Sequence, residues 1–247
     1  MKIIASDFDG TVYFRTEDPP YKKEDVEAIK RFQAKGNLFG LCTGRPLMGI
    51  VPYASKDFDY DFYICNSGAM IYDRNYKPLL EKWVDLSVLH AVAKQFNEGV
   101  EIMIIAKDQM YVYHPLANSN FKNEVSSTQE IQSDQLFGFA LHFNTANQAE
   151  EAIDEFRKNY PMIDAYVNVN AIDCVAKGSS KATGIEYIMD YYKINKDEIS
   201  CIGDNYNDVP MLTAVENSYT FYNSPEGVKS QVKYLVNSVA ECIESQL

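Results

Sequence analysis

The stretch Lys2-Ile3-Ile4-Ala5-Ser6-Asp7-Phe8-Asp9-Gly10-Thr11 decides how the rest of the chain is read. Its first half is short, apolar and β-branched, the pattern of a buried strand, and its second half carries an Asp-Gly turn signal and two carboxylates two residues apart. Working outward, Val26, Ile29 and Phe32 recur every three positions between Lys23 and Lys35, beside Ala28, and Gly36 stands where a helix would stop. That segment is predicted as an amphipathic helix. Leu38 to Cys42 reads as a second buried strand, left through Thr43-Gly44-Arg45-Pro46, with Pro46 suited to the first turn of a following helix. Asp61 to Cys65 reads as a third strand. The same rhythm returns near the C-terminus, with a helix from Lys181 to Tyr192, a strand Ile199 to Ile202, a loop Gly203 to Asn207 and a helix from Asp208. Strands alternating with helices predict an α/β fold whose core is a Rossmann-like, mostly parallel sheet with helices on both faces.

Between these halves the rhythm changes. After Asn66-Ser67-Gly68-Ala69, the segments Met70 to Tyr72 and Pro78 to Trp83 read as a hairpin about Asp73-Arg74-Asn75. From Asp85 to Cys174 the order is helix, strand, strand, strand, helix, strand, strand, with Ile102 to Ala106 and Met110 to His114 turning about Lys107-Asp108. This predicts an α+β module of ferredoxin-like character at 85–175, inserted into a discontinuous core of 1–84 and 176–247.

The chain's 247 residues amount to about 1.6 domains of average size. At 46% hydrophobic, with 12 Gly and 9 Pro, it buries a sizeable core and is neither disordered nor collagen-like. Its 23 Lys and Arg against 35 Asp and Glu leave a net charge of −12, without a long basic run, which argues against nucleic acid and anionic membranes as partners. The apolar run Glu101 to Ala106 is far shorter than the ~20 residues of a transmembrane helix. Met1 to Ser6 meets Asp7 too soon for the apolar core of a signal peptide, so a cytoplasmic location is expected. Cys42, Cys65, Cys174, Cys201 and Cys242 are odd in number and lack a Cys-x-x-Cys pair, so they read as small buried residues rather than disulfide or zinc partners. His90, His114 and His142 also lack metal-ligand spacing.

Three polar clusters each follow an apolar strand directly: Asp7-x-Asp9, Thr43-Gly44-Arg45 and Asp204. In an open parallel sheet the carboxyl ends of the strands share one edge, so these clusters can converge there. Ionised Asp7, Asp9, Asp204 and Asp208 would repel one another, by about 4 kcal/mol for a pair at ~4 Å and an effective dielectric of ~20. A cation among them is expected. Carboxylate oxygens without His or Cys suit Mg²⁺, whose remaining ligands are commonly water and phosphate oxygens, and this points to a small phosphorylated substrate. The Thr43 hydroxyl, the Gly44 N–H at the start of the expected helix and the Lys181 ammonium could hold the phosphoryl group. Lys177, four residues earlier, competes for Lys181's role, and the helical run Ala182 to Ile188 favours Lys181. A strand-terminal Asp7 could attack phosphorus and form an aspartyl-phosphate, while Asp9 protonates the leaving oxygen and then activates water. Arg45 reads equally as a surface ion-pair partner or a substrate contact.

These residues resemble the haloacid dehalogenase superfamily of phosphotransferases. Asp7-Phe8-Asp9-Gly10-Thr11 is similar to its first motif, Thr43-Gly44-Arg45 to its second, Lys181 to its third and Gly203-Asp204-Asn205-Tyr206-Asn207-Asp208 to its fourth. The insert resembles the cap of Cof-like, subclass IIB phosphatases. The resemblance implies that Asp7 is nucleophile and Mg²⁺ ligand, that Asp9 is acid/base and offers its backbone carbonyl to the metal, and that Asp204 is a third ligand. It further implies that Asp208 is a direct or indirect metal partner, that Asn207 lies near the phosphoryl group and that Asn66 faces the leaving group, although Ser67 interrupts the family's Asn-Gly-Ala stretch. Phosphatase action on small metabolites, sugar phosphates among them, is the leading expectation. A phosphomutase of the phosphomannomutase type and a non-catalytic receiver-like module are the alternatives.

Overall fold

The computed structural model describes residues 1–96, 99–107, 109–117, 119, 123–133 and 135–247. Its elements run β1 (Ile3–Ser6), α1 (Lys23–Ala34), β2 (Leu38–Cys42), β3 (Phe62–Cys65), β4 (Met70–Asp73) and β5 (Pro78–Glu81). Next come β6 (Val84–Asp85), α2 (Leu86–Gln95), β7 (Glu101–Ala106), β8 (Met110–Tyr113), β9 (Glu124–Val125), β10 (Gln135–His142), α3 (Ala146–Asn159), β11 (Ile163–Asn168) and β12 (Ala171–Ala176). The chain closes with α4 (Lys181–Tyr192), β13 (Ile199–Ile202), α5 (Val209–Ala214), β14 (Asn217–Phe221), α6 (Glu226–Lys229), β15 (Tyr234–Val236) and α7 (Val239–Glu244).

The chain forms two compact units, Met1–Leu80 with Ser180–Leu247, and Glu81–Ser179. The first holds a sheet ordered β15-β14-β13-β1-β2-β3-β4-β5, parallel from β15 to β3, with β4 antiparallel to β3. β1 and β13 lie at its centre and are buried along their whole length, which is why both read as unbroken apolar runs rather than alternating ones. The second unit carries a largely antiparallel sheet, β11-β12-β10-β7-β8-β9, with β6 also pairing β10. Its apolar face joins Leu89 and Val92 of α2 and Ile153 and Phe156 of α3 in one core. The α/β core with an α+β insert is the architecture expected from the sequence.

Three details differ from the sequence reading. The units divide four residues before 84/85 and four after 175/176, where strand pairing and hydrogen bonds tie the flanking residues to the insert. Val84 and Asp85 pair with β10, Lys177 Nζ and the Gly178 N–H both reach Asp164 at 2.7 Å, and the Tyr166 hydroxyl donates to the Ser179 carbonyl at 2.5 Å. No α-helix follows Pro46; two short 3₁₀ turns, Leu47–Gly49 and Val51–Tyr53, stand there. Pro52 lacks an N–H and disfavours a helical residue before it, so the segment closes through i to i+3 bonds such as Ile50 N–H to Leu47 C=O at 2.9 Å. Likewise a 3₁₀ turn, Tyr206–Asp208, precedes α5 where a helix from Asp208 was expected. The predicted turn at Lys107-Asp108 includes Asp108, which lies outside the described residues. All five cysteines are free and buried, and no helix among the described residues is long and apolar enough to cross a membrane.

Asp25 of α1 gives a prediction. Its side chain is buried, Oδ1 accepts the Ala240 N–H of α7 at 2.7 Å, and Oδ2 has no partner among the described residues. Burial lifts its pKa from the ordinary 3.8 to about 6, against the pull of the Ala240 N–H and of Lys22. The unfolded chain therefore loses this proton first, and stability falls as pH rises from 3.8 to about 6. Asp25→Asn keeps an acceptor for Ala240 without the charge. It is expected to be about 1–2 kcal/mol more stable than the parent at pH ~8, with the difference vanishing at pH ~4, in paired urea titrations.

Candidate active site

The site grows from the carboxyl ends of the central strands. Asp7 follows β1, where its N–H donates to the Ile202 carbonyl of the neighbouring β13 at 2.9 Å, so the two strands hold its backbone. Its carboxylate points to Lys181, the first residue of α4, whose ammonium lies 2.6 Å from Asp7 Oδ1 and also binds Asp208 Oδ1. Lys181 reaches this position because α4 packs closely on the Asn66–Gly68 turn. A Cβ on Gly68, at φ +89°, would come within 2.0 Å of the Ser180 carbonyl, so a side chain there would push the start of α4 away. Lys177 instead pairs with Asp164, so of the two lysines it is Lys181 that contacts Asp7.

Asp208 folds back over Gly203, where a Cβ would meet the Asp208 side chain at 2.5 Å. Its Oδ2 accepts the N–H groups of Asp204 and Asn205 at 3.0 and 3.1 Å, so both Asp208 oxygens are taken and the residue fixes the loop and Lys181. Asp204 Oδ1 accepts from the Thr11 hydroxyl at 3.0 Å. Carboxylate oxygens of Asp7, Asp204 and Asp208 lie within 4.8 Å of one another, with Lys181 as the ammonium among them.

The imbalance shows in the proton affinities. Burial, then the Asp208 charge, hold Asp7 well above the usual carboxylate range, with Lys181 opposing them. Burial and Asp208 raise Asp204 to about 6. Burial alone would discharge Lys181, but Asp208 and Asp7 outweigh it and keep the ammonium protonated. Three crowded carboxylates facing one ammonium are short of positive charge, and their ligand atoms are hard oxygens. This donor set fits a divalent cation of the Mg²⁺ type.

Asp9 stands apart from that cluster. Its two oxygens take Arg45 Nε and Nη2 at 2.6 Å each, a bidentate pair. Arg45 Nη1 also donates to the Gly49 carbonyl at 2.9 Å, and its guanidinium lies over the rings of Phe8, Tyr13 and Tyr53 at 5.1, 5.7 and 5.4 Å. The two loops meet because β1 and β2 are neighbours, paired through Ser6 and Leu41. Of the alternatives for Arg45, the structure shows an ion pair, and its partner is a candidate catalytic carboxyl.

Thr43 is buried, and its hydroxyl accepts the Arg45 N–H at 3.1 Å. Gly44 is partly exposed, but the helix expected to begin beside it is replaced by a 3₁₀ turn. Asn66 is buried at φ 48° and its Oδ1 has no partner among the described residues. Asn207 is partly exposed within the turn capped by the Asn205 side chain. Three contributors were not singled out from the sequence. Thr11, fully buried on Asp204, carries the signal of its place directly after the Asp-Gly turn; the Tyr13 and Tyr53 rings under Arg45 carry none, because their meeting is long-range.

A parallel core with acidic strand ends and an inserted α+β unit defines an α/β architecture whose candidate site lies at the carboxyl ends of the strands. The chain belongs to the haloacid dehalogenase-like hydrolase family, whose sequence profile matches residues 4–242. It is 22% identical to the pyridoxal phosphate phosphatase YbhA of Escherichia coli, over 100% of this chain and 98% of that one. It is also 22% identical to the 5-amino-6-(5-phospho-D-ribitylamino)uracil phosphatase YcsE of Bacillus subtilis, over 98% of this chain and 92% of that one. Among solved structures, BT1666 from Bacteroides thetaiotaomicron, a phosphatase of this superfamily, is similar at TM-score 0.82 and 19% identity, over 100% of this chain and 93% of that one. The subclass IIB sugar phosphatase BT4131 is similar at TM-score 0.81 and 21% identity, over 100% and 97% of the two chains.

Proposed function

We propose that this protein is a Mg²⁺-dependent phosphatase of small phosphorylated metabolites, sugar phosphates foremost, working through an aspartyl-phosphate on Asp7. The observation that carries the reading is the Asp7 carboxylate, with Oδ1 held by Lys181 and Oδ2 free of hydrogen bonds among the described residues. Lys181 orients Asp7 so that Oδ2 forms the new bond to phosphorus while the bond from phosphorus to the ester oxygen breaks. Asp9, released from Arg45 in its protonated form, gives its proton to the departing alkoxide. Asp9 then takes a proton from water, the hydroxide oxygen bonds to phosphorus, and the bond to Asp7 breaks, freeing inorganic phosphate and restoring the carboxylate. Thr43, Gly44 and Asn207 are assigned to the phosphoryl oxygens, Asn66 to the leaving group, and Asp7, Asp204 and the Asp9 backbone carbonyl to the metal, with Asp208 fixing their arrangement. Mg²⁺ bound there supplies positive charge to the phosphoryl oxygens.

The substrate class is supported by the names of relatives, a sugar phosphatase and a pyridoxal phosphate phosphatase. The test is phosphate release from sugar phosphates, nucleotides, phosphorylated cofactors and p-nitrophenyl phosphate, with Mg²⁺ and with EDTA. Metal-dependent release, highest in kcat/KM for a sugar phosphate, is expected. Turnover unaffected by EDTA overturns the metal assignment, and isomerisation that requires a bisphosphate would make the protein a mutase.

A further inference from the structure

Tyr13 and Tyr53, whose rings lie under the Arg45 guanidinium, also line a cavity of about 660 Å³ within the first compact unit. Its second wall is one face of α1, where Lys23, Val26, Glu27 and Lys30 follow the i, i+3, i+4, i+7 spacing of a helical stripe. Its third wall is Pro19, Pro20 and Tyr21. The volume lies in the range of ~300–1,000 Å³ typical of small-molecule sites, and rings and prolines make most of its surface apolar. None of Asp7, Asp204, Asp208 or Lys181 lines it.

The charges around it are specific. Lys23 faces Glu27 at 3.9 Å, whereas Lys30 and Lys56, both exposed, make no ion pair among the described residues. Asp57 is the one remaining acid of the lining, so the rim is positive in a chain whose net charge is −12. A positive rim over an apolar aromatic floor, in a strongly acidic protein, selects an anion with a ring. Tyr53, 45% exposed, offers such a molecule its surface.

We propose that this cavity is a second binding site, for a planar aromatic molecule bearing an anionic group, its ring against the tyrosines and prolines and its charge toward Lys30 and Lys56. The site goes beyond the phosphatase reading and does not depend on it. An occupant would also touch the two tyrosine rings on which Arg45, the partner of Asp9, is seated.

The test is isothermal titration of the full chain with 2-naphthalenesulfonate, an aromatic anion with no phosphoester to cleave. Saturable one-to-one binding is expected, unchanged by excess inorganic phosphate or by Asp7→Asn. Val26→Trp, which fills the cavity from α1, should abolish it. Lys30→Glu with Lys56→Glu, both at exposed positions, should weaken it about tenfold. Neutral 2-naphthol and ring-free methanesulfonate should each bind far more weakly than the probe. Both variants should melt like the parent, so that lost binding is not lost folding. Absence of saturable binding, displacement by inorganic phosphate, or unchanged binding in the charge-reversed pair would overturn the proposal.

Discussion

Asp7→Asn is expected to lower phosphate release by about 10⁴-fold or more while leaving the protein as stable as its parent, or more so. The amide oxygen can still accept from the Lys181 ammonium, now 2.6 Å from Asp7 Oδ1, so the buried contact survives. What is lost is the anionic oxygen that bonds to phosphorus, and an amide cannot replace it. Stability should not suffer, because burial and the Asp208 charge already make ionisation of Asp7 costly. Since its folded pKa lies above the ordinary value, that cost grows as pH rises, and removing the charge favours the variant most at neutral and higher pH. Phosphate-release assays and thermal melts on the same preparation check both halves. A variant retaining even a tenth of the parental rate would sink the nucleophile assignment.

Lys181→Met should be the most destabilising single change at this site. The ammonium is buried against Asp7 and Asp208, and deleting one partner of such a pair costs about 3–5 kcal/mol because the remaining charges stay buried and unpaired. The loss should be greatest at neutral pH and shrink as pH falls, since the orphaned carboxylates can then protonate. Adding Asp208→Asn should recover part of it, because one of the unpaired charges is then gone. Urea titration of the single and double variants measures this directly. A loss below about 1 kcal/mol at pH ~7 would mean that solvent reaches the cluster and that Lys181 does not neutralise it.

Arg45 illustrates where sequence reading stops. From the sequence it stood between a surface ion pair and a substrate contact, because nothing local says what faces a strand-end arginine. In the fold it grips both oxygens of Asp9 and rests on three aromatic rings. For Asp9 to serve as acid and base this clamp must open, so the resting pair holds the carboxyl away from the Asp7 cluster. Asp208 shows the same limit: from the sequence it stood as a direct or indirect metal partner, and only the fold shows its carboxylate beside Asp7 and Asp204 with its oxygens also bound by Lys181 and two backbone N–H groups.

The sequence by itself determined most of the strands and helices, the parallel core with its α+β insert, and the position of Asp7, Asp9, Thr43 and Asp204 just after strands. Those properties are written within a few residues, as apolar runs, helical spacing and a turn signal, and the sheet's common carboxyl edge does the rest. Only the tertiary structure decided that Lys181 and not Lys177 meets Asp7, that Arg45 holds Asp9, that 3₁₀ turns replace the helix after Pro46, and that Thr11 supports Asp204. Lys181 and Asp7 are 174 positions apart and Thr11 and Asp204 193 apart. Contacts of that range depend on how whole strands and helices pack, down to whether a glycine lets a helix start approach a turn, and no local pattern encodes that distance.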